Sequence, residues 1–357
     1  MIRTTSILGG WICGALVVYG QGASGPQTAA VARAAAEPGV LVRLVKENEA
    51  QREVLLVRRQ GDVIFFRLTN SPPGVYSQFK AADWDEAEFK IQIPEPAAYL
   101  EASRRQWASA ARRLHVAIAP ALPFLDLPRN NVFEPAVRAA WYYVRAAQQA
   151  ARRGEAGQAD ARTYYTAAYE VFREAGRAAS WHPYGQCAAI RAMLCLVELG
   201  RLDEAEAGLA KFPEPEIGDM AWGVYWLARA QLYYAREQPR YALEAAILSY
   251  LHENKDVETF PDALMLAAQC YEDVNEVHRA RDVYYEVARL FPGTDWGDEA
   301  RARLVNIMDR RMTERPEDPN IAGIFFGTEE NMNEKVRQFL KETEPKPNSS
   351  TTGDKQL

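Results

Sequence analysis

Cysteine and histidine are scarce in this chain, with four of each in 357 residues. Three of the cysteines, Cys187, Cys195 and Cys270, lie beyond the N-terminal leader described below. Cys187 and Cys195 are eight positions apart on one expected helix, about 12 Å by helix rise, which is too far for a disulfide. We therefore expect three buried thiols that pack as small apolar side chains. The histidines show no metal-ligand spacing, so we expect no metal site.

The motifs of common catalytic sites are missing as well. The chain has no phosphate-binding loop, no His-Glu-x-x-His, no Cys-x-x-Cys and no Gly-x-Ser-x-Gly. Asp203, Glu204 and Glu206 are close in sequence, but we expect them on the exposed side of a turn. The net charge of -6 argues against nucleic acid as a main partner. We therefore expect no enzyme, no catalytic residue and no bound cofactor.

What the chain does contain is a 34-residue helix–turn–helix pattern from position 261 to 294. Its alanines leave room for two antiparallel helices to approach closely, and its tyrosines fill the remaining space. The proline ends the second helix, because it cannot continue the hydrogen-bonded turns. Such a unit buries its apolar face only against neighbouring copies, so it predicts a repeat array. The packing residues are Leu264, Ala268, Tyr271, Ala280, Tyr284 and Pro292.

Further copies lie upstream, with less regular patterns. Ala205, Ala242 and Ala280 take equivalent positions, at intervals of 37 and 38 residues. Ala230 and Tyr233 are the packing residues on the first helix of the middle copy. We place the best copies at 186–219, 223–256 and 261–294, within a helical region from 95 to 311. An earlier pair spans 141–168, and a helix over 297–311 is expected to cap the stack.

The stretch 261–311 resembles the tetratricopeptide repeats of bacterial cell-envelope proteins, such as the periplasmic coordinator of the Tol–Pal system and the outer-membrane assembly lipoprotein. The resemblance rests on Ala280, Tyr284, Phe291-Pro292 and Ala300, and it covers about a sixth of the chain. It implies a mainly α fold, a right-handed α-α superhelix of tetratricopeptide-like repeats, preceded here by a small all-β module. The alternative is an irregular helical domain whose aromatic residues fill a core.

The β module is expected between residues 39 and 94, where the apolar period changes from helical to strand-like. Val40 to Val45 is a short apolar strand, and Glu53 to Leu68 forms a hairpin around Gln60-Gly61-Asp62. The short strands suggest a small barrel or curled sheet, SH3-like in size, or alternatively a sheet packed directly on the first helices. Arg58, Arg59 and Arg67 are expected on its solvated face.

The two ends of the chain differ in character from the rest. Residues 1–25 are expected to be a cleaved signal peptide, with Arg3 before an apolar run and small residues after it. A retained membrane anchor is the alternative. Residues 26–38 are expected to be a flexible lead-in. Residues 312–357 are expected to be a largely disordered tail with an apolar and helical segment at 321–340, in which Ile324, Phe325 and Phe326 dock on the stack.

These features predict a non-enzymatic, exported scaffold in the periplasm or envelope. It binds a protein or peptide partner of unknown identity through the concave face of the repeats. No stable membrane span is expected after signal cleavage, and self-association is left open. The alternatives are binding of carbohydrate or peptidoglycan, or an unrecognised enzyme site where the β module meets the repeats.

Overall fold

The computed structural model describes residues 39–47, 49–72, 74–251, 258–310 and 329–343. Over these residues the protein is mainly helical, with a five-stranded antiparallel sheet towards its N-terminal side. The mainly α fold preceded by a small β region is therefore confirmed. The strands are β1 (Val40–Val45), β2 (Arg52–Gln60), β3 (Val63–Leu68), β4 (Ser77–Lys80) and β5 (Glu86–Phe89).

The strand order in the sheet is β4-β3-β2-β1-β5, and every neighbouring pair is antiparallel. The expected hairpin is present, with Gln60 paired to Val63 across a turn in which Gly61 takes a φ of 58°. β4 and β5 are the two edges of the sheet. The loop before α3 covers the β5 edge, because Phe89 N–H donates to Asn131 Oδ1 at 2.8 Å.

The sheet shares a hydrophobic core with the first helices. In β1, Val40, Val42 and Leu44 are buried, since alternate side chains of a strand point to one face. They belong to the same apolar cluster as Leu114 and Phe133 of the helical region. The sheet thus lies directly on the helices, which is the second of the two arrangements expected from sequence.

Twelve α-helices follow in the described part of the chain. They are α1 (Glu95–Ser103), α2 (Trp107–Ile118), α3 (Phe133–Ala151), α4 (Gln158–Ala175), α5 (Pro183–Glu198), α6 (Leu202–Leu209), α7 (Trp222–Ala235), α8 (Pro239–Leu251), α9 (Thr259–Asp273), α10 (Val277–Leu290), α11 (Asp295–Arg310) and α12 (Glu329–Glu342). Helices adjacent in the sequence pack on each other, and α5, α7 and α9 also contact in succession.

Four helix pairs turn in the same way. A residue with positive φ stands two positions before the second helix: Arg105, Gly200, Glu237 and Asn275. The N–H of the residue that follows closes the end of the first helix, as in a Schellman turn. These bonds are Gln106 to Glu101 O at 3.0 Å, Arg201 to Leu196 O at 2.9 Å, Gln238 to Tyr233 O at 3.0 Å, and Glu276 to Tyr271 O at 2.8 Å.

Most of the predicted packing residues are buried at the seams between these helices. Ala205, Ala242 and Ala280 are fully enclosed, and each is the fourth residue of the second helix of its pair. Ala230 is also buried, Tyr233 is half-buried, and Pro292 is exposed in the turn after α10. The remaining members share one apolar cluster with Ala280: Leu264, Ala268, Tyr271 and Tyr284.

The helix predicted near the C-terminus is observed as α12. Its Val336 is fully buried against Leu304 and Ile307 of α11, and Phe339 meets the ring of Tyr285 edge-on at 5.3 Å. In the described chain, α12 rather than α11 is therefore the last helix to cover this core. Ile324, Phe325 and Phe326 lie outside the described residues.

Candidate functional site

The inner faces of α3, α4, α5, α7 and α9 surround a small cleft of about 30 Å3 that is partly open to solvent. We call it the inner cleft. Polar and aromatic side chains dominate its wall. Its lining residues are Trp141, Val144, Gln148, Tyr165, Phe172, Arg191, Leu194, Cys195, Glu198, Leu227, Gln231 and Asp262.

Helical spacing explains why these side chains converge. On α5, Arg191, Leu194 and Glu198 stand at positions i, i+3 and i+7, which lie on one face of a helix. On α7, Leu227 and Gln231 are four apart and share a face in the same way. The opposite side of α5 packs into apolar core, so only this face is available to the cleft.

Arg191 is buried among aromatic and polar neighbours. Its residue is 2% exposed, and its guanidinium lies over the Trp141 ring at 4.1 Å. Nη2 donates to Thr259 Oγ1 at 3.2 Å. Burial lowers the pKa of Arg191, and the nearby Glu258 carboxylate opposes that shift. Burial in turn raises the pKa of Glu258, against the effect of Arg191. Arg191 and Glu258 therefore partly neutralise each other.

Arg145 links the cleft residue Asp262 to Trp296 of α11. Its guanidinium carbon is 3.7 Å from the centroid of the Trp296 ring, and its Nη2 is 3.7 Å from Asp262 Oδ2. The Trp296 indole N–H donates to Asp262 Oδ1 at 2.5 Å, and Arg145 Nη1 donates to Gln148 Oε1 at 2.6 Å. Asp262 thus has a cation and an N–H donor of its own, and Arg145 is engaged on both sides.

Glu198 stands in a different environment. It lines the cleft and is exposed to solvent. Removal of water from around the carboxylate raises the pKa of Glu198 to about 7, a hydrogen bond with Tyr165 lowers it, and the charge of Asp262 raises it. No ion pair to Glu198 is present among the described residues. Close by in the lining, Gln231 Oε1 is buried and accepts no hydrogen bond from any described residue.

The helical region returns on itself beside the inner cleft. The turn before α11 and the first turn of α11 contact α2, α3 and the residues next to them, more than 140 positions earlier in the chain. These contacts are Arg105 with Asp298 at 2.8 Å, Trp107 Nε1 with Asp295 Oδ2 at 3.2 Å, and Arg152 with Glu299 at 2.8 Å. The first turn of α11 therefore contacts the first helices of the helical region directly.

The three cysteines are buried and unpaired with one another, as expected. Cys195 lines the cleft, and burial raises the pKa of its thiol far above the ordinary range, so it remains protonated. His115 Nδ1 lies 3.1 Å from the Tyr143 hydroxyl. Among the described residues, no group of three His, Cys, Asp or Glu side chains is placed to hold a metal ion.

One of the arginines near the β hairpin, Arg59, departs from the expectation, whereas Arg58 is exposed as expected. Arg59 forms an ion pair with Asp126 of the helical region, and its side chain is only 11% exposed. A shift in the β2–β3 register between Leu56 and Arg58 turns the end of β2 towards the helices. The expectation that Arg59 lies on a solvated face is therefore wrong.

Sequence reasoning missed the inner cleft, although α5 carries a usable signal. Arg191 and Glu198 are the only charged residues in a 16-residue helix of otherwise mostly apolar character, and they lie seven positions apart. Two charges on one face of an apolar helix indicate a polar surface in the interior. Partners such as Asp262, which lie far away in sequence, give no comparable signal.

No protein-family model matches this chain, and the curated proteins contain no significant match. Within the described ranges, none of the helices has the length and apolar character to cross a bilayer.

Proposed function

We propose that this protein is a non-enzymatic scaffold of the bacterial cell envelope that binds a short segment of a partner protein on the concave face around the inner cleft. The supporting observation is which helices line the cleft. Four successive helix pairs contribute their first helices, α3, α5, α7 and α9, to the cleft wall, and α4 adds Tyr165 and Phe172. A right-handed superhelix of tetratricopeptide-like repeats presents its ligand surface on such first helices, and this is the arrangement we propose here.

The cleft itself is too small to hold a peptide. Its volume of about 30 Å3 is space for roughly two water molecules, far below the range of pockets for small ligands, which is about 300–1,000 Å3. We therefore propose that the partner lies across the concave face and that only the end of a side chain reaches the cleft.

The chemistry of the wall favours a polar peptide over a sugar. Sugar binding by stacking needs open aromatic faces, but Arg191 covers a face of Trp141 and Arg145 covers a face of Trp296. The side chains that remain available are mixed in polarity, and they include Gln231, Glu198 and Tyr165. Backbone amides and polar side chains of a peptide match that mixture.

A substitution that fills the cleft tests this proposal. Gln231→Trp places a large side chain in the cleft, and we expect it to lower capture of the partner from an envelope extract at least tenfold. The matched control is Gln149→Trp, because Gln149 is exposed on α3 beside the cleft residue Gln148. Captured proteins are compared by quantitative mass spectrometry, and both variants must show the melting temperature of the parent within a few degrees.

The outcome is read from the difference between the two variants. A protein captured by the parent and by Gln149→Trp, but lost with Gln231→Trp, identifies a cleft-dependent partner. Equal capture by all three chains would place binding elsewhere and overturn the proposal.

Export is the second part of the proposal and is tested separately. We propose cleavage between residues 20 and 25, because a positive charge, an apolar run and small residues follow one another in that order at the N-terminus. Intact-mass measurement of the protein isolated from its host decides this point, since a species that still begins at Met1 contradicts it.

A further inference from the structure

We infer that the helical array has a closed and an open form, and that salt-sensitive contacts between α11 and the first helices hold it closed. We call this group of contacts the clasp, and its members are Arg105, Trp107 and Arg152 on one side and Asp295, Asp298 and Glu299 on the other. The inference goes beyond the proposed function, because it concerns the array itself and is measured without a partner. Release of the clasp would widen the concave face on which we place the partner segment.

The clasp consists of polar contacts made by side chains that water can reach. Arg105 is 41% exposed at its side chain, and besides pairing with Asp298 it donates to the Gly293 carbonyl oxygen at 2.5 Å. Arg152 is 39% exposed at its side chain and pairs with Glu299. Ion pairs in contact with water are weak individually, and dissolved salt screens them further. The clasp should therefore lose strength as the ionic strength rises.

The two parts that the clasp joins have separate hydrophobic cores. The sheet and α1 to α5 share one apolar cluster, whereas α9 to α12 share another. Two further clusters, which involve α5 to α9, connect these parts on the other side of the array. Among the described residues, no apolar cluster extends from α11 to α2 or α3. Parts that have their own cores and meet through a polar contact can move relative to each other.

The closed form leaves a buried donor without an acceptor next to the clasp. Arg145 lies seven positions before Arg152 on the same face of α3, and its guanidinium lies over the ring of Trp296 in α11. No described residue accepts a hydrogen bond from Arg145 Nη2, since Asp262 Oδ2 is 3.7 Å away. A buried donor without an acceptor is unfavourable, and opening would give it water. This penalty reduces the advantage of the closed form over the open one.

Cys195 provides a natural reporter of the open form. It is buried and lines the inner cleft, and burial raises the pKa of its thiol, so it should react slowly while the array is closed. Opening at the clasp widens the cleft and lets a small reagent reach this thiol. Cys187 and Cys270 are buried in the clusters that connect the two parts and do not line the cleft. They therefore report unfolding of the array rather than its opening.

The reaction of the full chain with N-ethylmaleimide, followed by peptide mass spectrometry, tests the inference. We expect the rate at Cys195 to increase at least threefold between about 0.05 M and about 1 M NaCl, where the Debye length falls to about 3 Å. The rates at Cys187 and Cys270 should not increase in this way. An unchanged rate at Cys195 overturns the inference. Equal acceleration of all three thiols also overturns it, because the whole array then unfolds.

Charge reversal separates the clasp from a general effect of salt. At low salt, Arg152→Glu should make Cys195 react at least threefold faster than in the parent, and the added change Glu299→Arg should return the rate to within twofold of the parent. The control is Arg153→Glu, because Arg153 is 55% exposed at its side chain and pairs with Asp160 rather than with α11. Equal rates in Arg152→Glu and Arg153→Glu overturn the inference. If Arg152→Glu does not fold, Glu299→Arg alone replaces it, and the salt series needs no substitution.

Failure of the inference is distinguishable from failure of the proposed function. If Gln231→Trp abolishes partner capture but the rate at Cys195 responds to neither salt nor Arg152→Glu, the concave face is the partner site and the clasp is a permanent contact. If the rate responds as expected but capture is insensitive to Gln231→Trp, the clasp opens and the partner site lies elsewhere.

Discussion

The helical region has two kinds of buried surface of opposite character, one at the seams between paired helices and one at the inner cleft. At the seams, Ala205, Ala242 and Ala280 are fully buried and let neighbouring helices approach closely. At the inner cleft, Arg191 and Arg145 are almost as well buried, at 2% and 7% exposure, but they carry charge. The side chains of the two regions are therefore buried to a similar extent. Apolar packing stabilises the seams, whereas contacts between charged, polar and aromatic groups stabilise the buried arginines of the cleft.

The difference shows what each region depends on. Close packing alone stabilises a seam, because the alanine side chain has no polar atom that needs a hydrogen bond. A substitution at a seam is therefore destabilising when it adds volume. The charged side chains of the cleft need ion pairs or hydrogen bonds, because a buried charge without either is strongly unfavourable. Removing one member of the cleft network should thus cost more than enlarging one member of a seam.

The largest effect is expected for Arg191→Ala. The change removes the guanidinium from the Trp141 ring and from Thr259, and it leaves Glu258 without the cation that most strongly lowers its pKa. We expect the free energy of unfolding to fall by about 3 kcal/mol, measured by urea denaturation at pH 7.

Arg279→Ala provides the comparison for that variant. Arg279 is 54% exposed at its side chain and pairs with Glu276 on the surface, so its loss should change stability by less than about 0.5 kcal/mol. Equal effects of the two substitutions would mean that the Arg191 network does not stabilise the cleft.

Ala205→Leu should have the next largest effect. Ala205 is fully buried at the start of α6, and three extra carbon atoms there force the helices apart. We expect a loss of about 1–3 kcal/mol in denaturant unfolding, and the same for Ala280→Leu in α10. Ala207 lies two positions along α6 and is exposed, so Ala207→Leu should be nearly neutral. A large effect at Ala207 would show that the seam is placed incorrectly.

Glu198→Gln should be stabilising, in contrast to the first two changes. The folded-state pKa of about 7 lies above the unfolded value of about 4.3, so the folded protein binds the extra proton and loses stability as pH rises between these values. Glutamine avoids that loss. We expect a gain of about 1 kcal/mol at pH 8, less than the full shift implies because Glu198 is accessible to solvent.

The pH series separates this explanation from a general packing effect. The gain should shrink as pH falls through 7 and vanish near pH 4, where the parent carboxyl is protonated in both states. Melting temperatures of parent and variant at pH 4, 6 and 8 measure it. A gain of equal size at all three values would contradict a titrating carboxyl as its source.

The smallest effects are expected in the turns that join the helix pairs. Gly200 and Glu237 occupy equivalent turn positions with φ of 75° and 59°, a region that favours glycine. Glu237→Gly should raise the free energy of unfolding by about 0.5–1 kcal/mol, and Gly200→Ala should lower it by about 1 kcal/mol. A Cβ at Gly200 meets no atom within 4 Å, so only the backbone conformation is tested. Changes of the same sign at both positions would show that the two turns are not equivalent.

Local sequence was sufficient to determine the helix pairs and their seams. The pair over 259–290, the buried Ala268 and Ala280, and the end of α10 before Pro292 all follow from helical periodicity and from a residue that cannot extend a helix. The strands of the sheet follow in the same way from alternating apolar residues. These patterns span a few turns or a few residues, so the information lies within one stretch of chain.

The tertiary structure alone decided the inner cleft and its boundary. Arg145, Asp262 and Trp296 meet although they are more than 30 residues apart from one another, and Trp107 meets Asp295 across 188 positions. Such contacts depend on the angle at which each helix pair packs on the previous one, summed over several pairs. No periodicity encodes that sum, because small differences in side-chain volume at each seam set the angle. The charge on Arg191 and Glu198 was visible in the sequence, whereas their role as walls of one cleft arises only when distant helices are brought together.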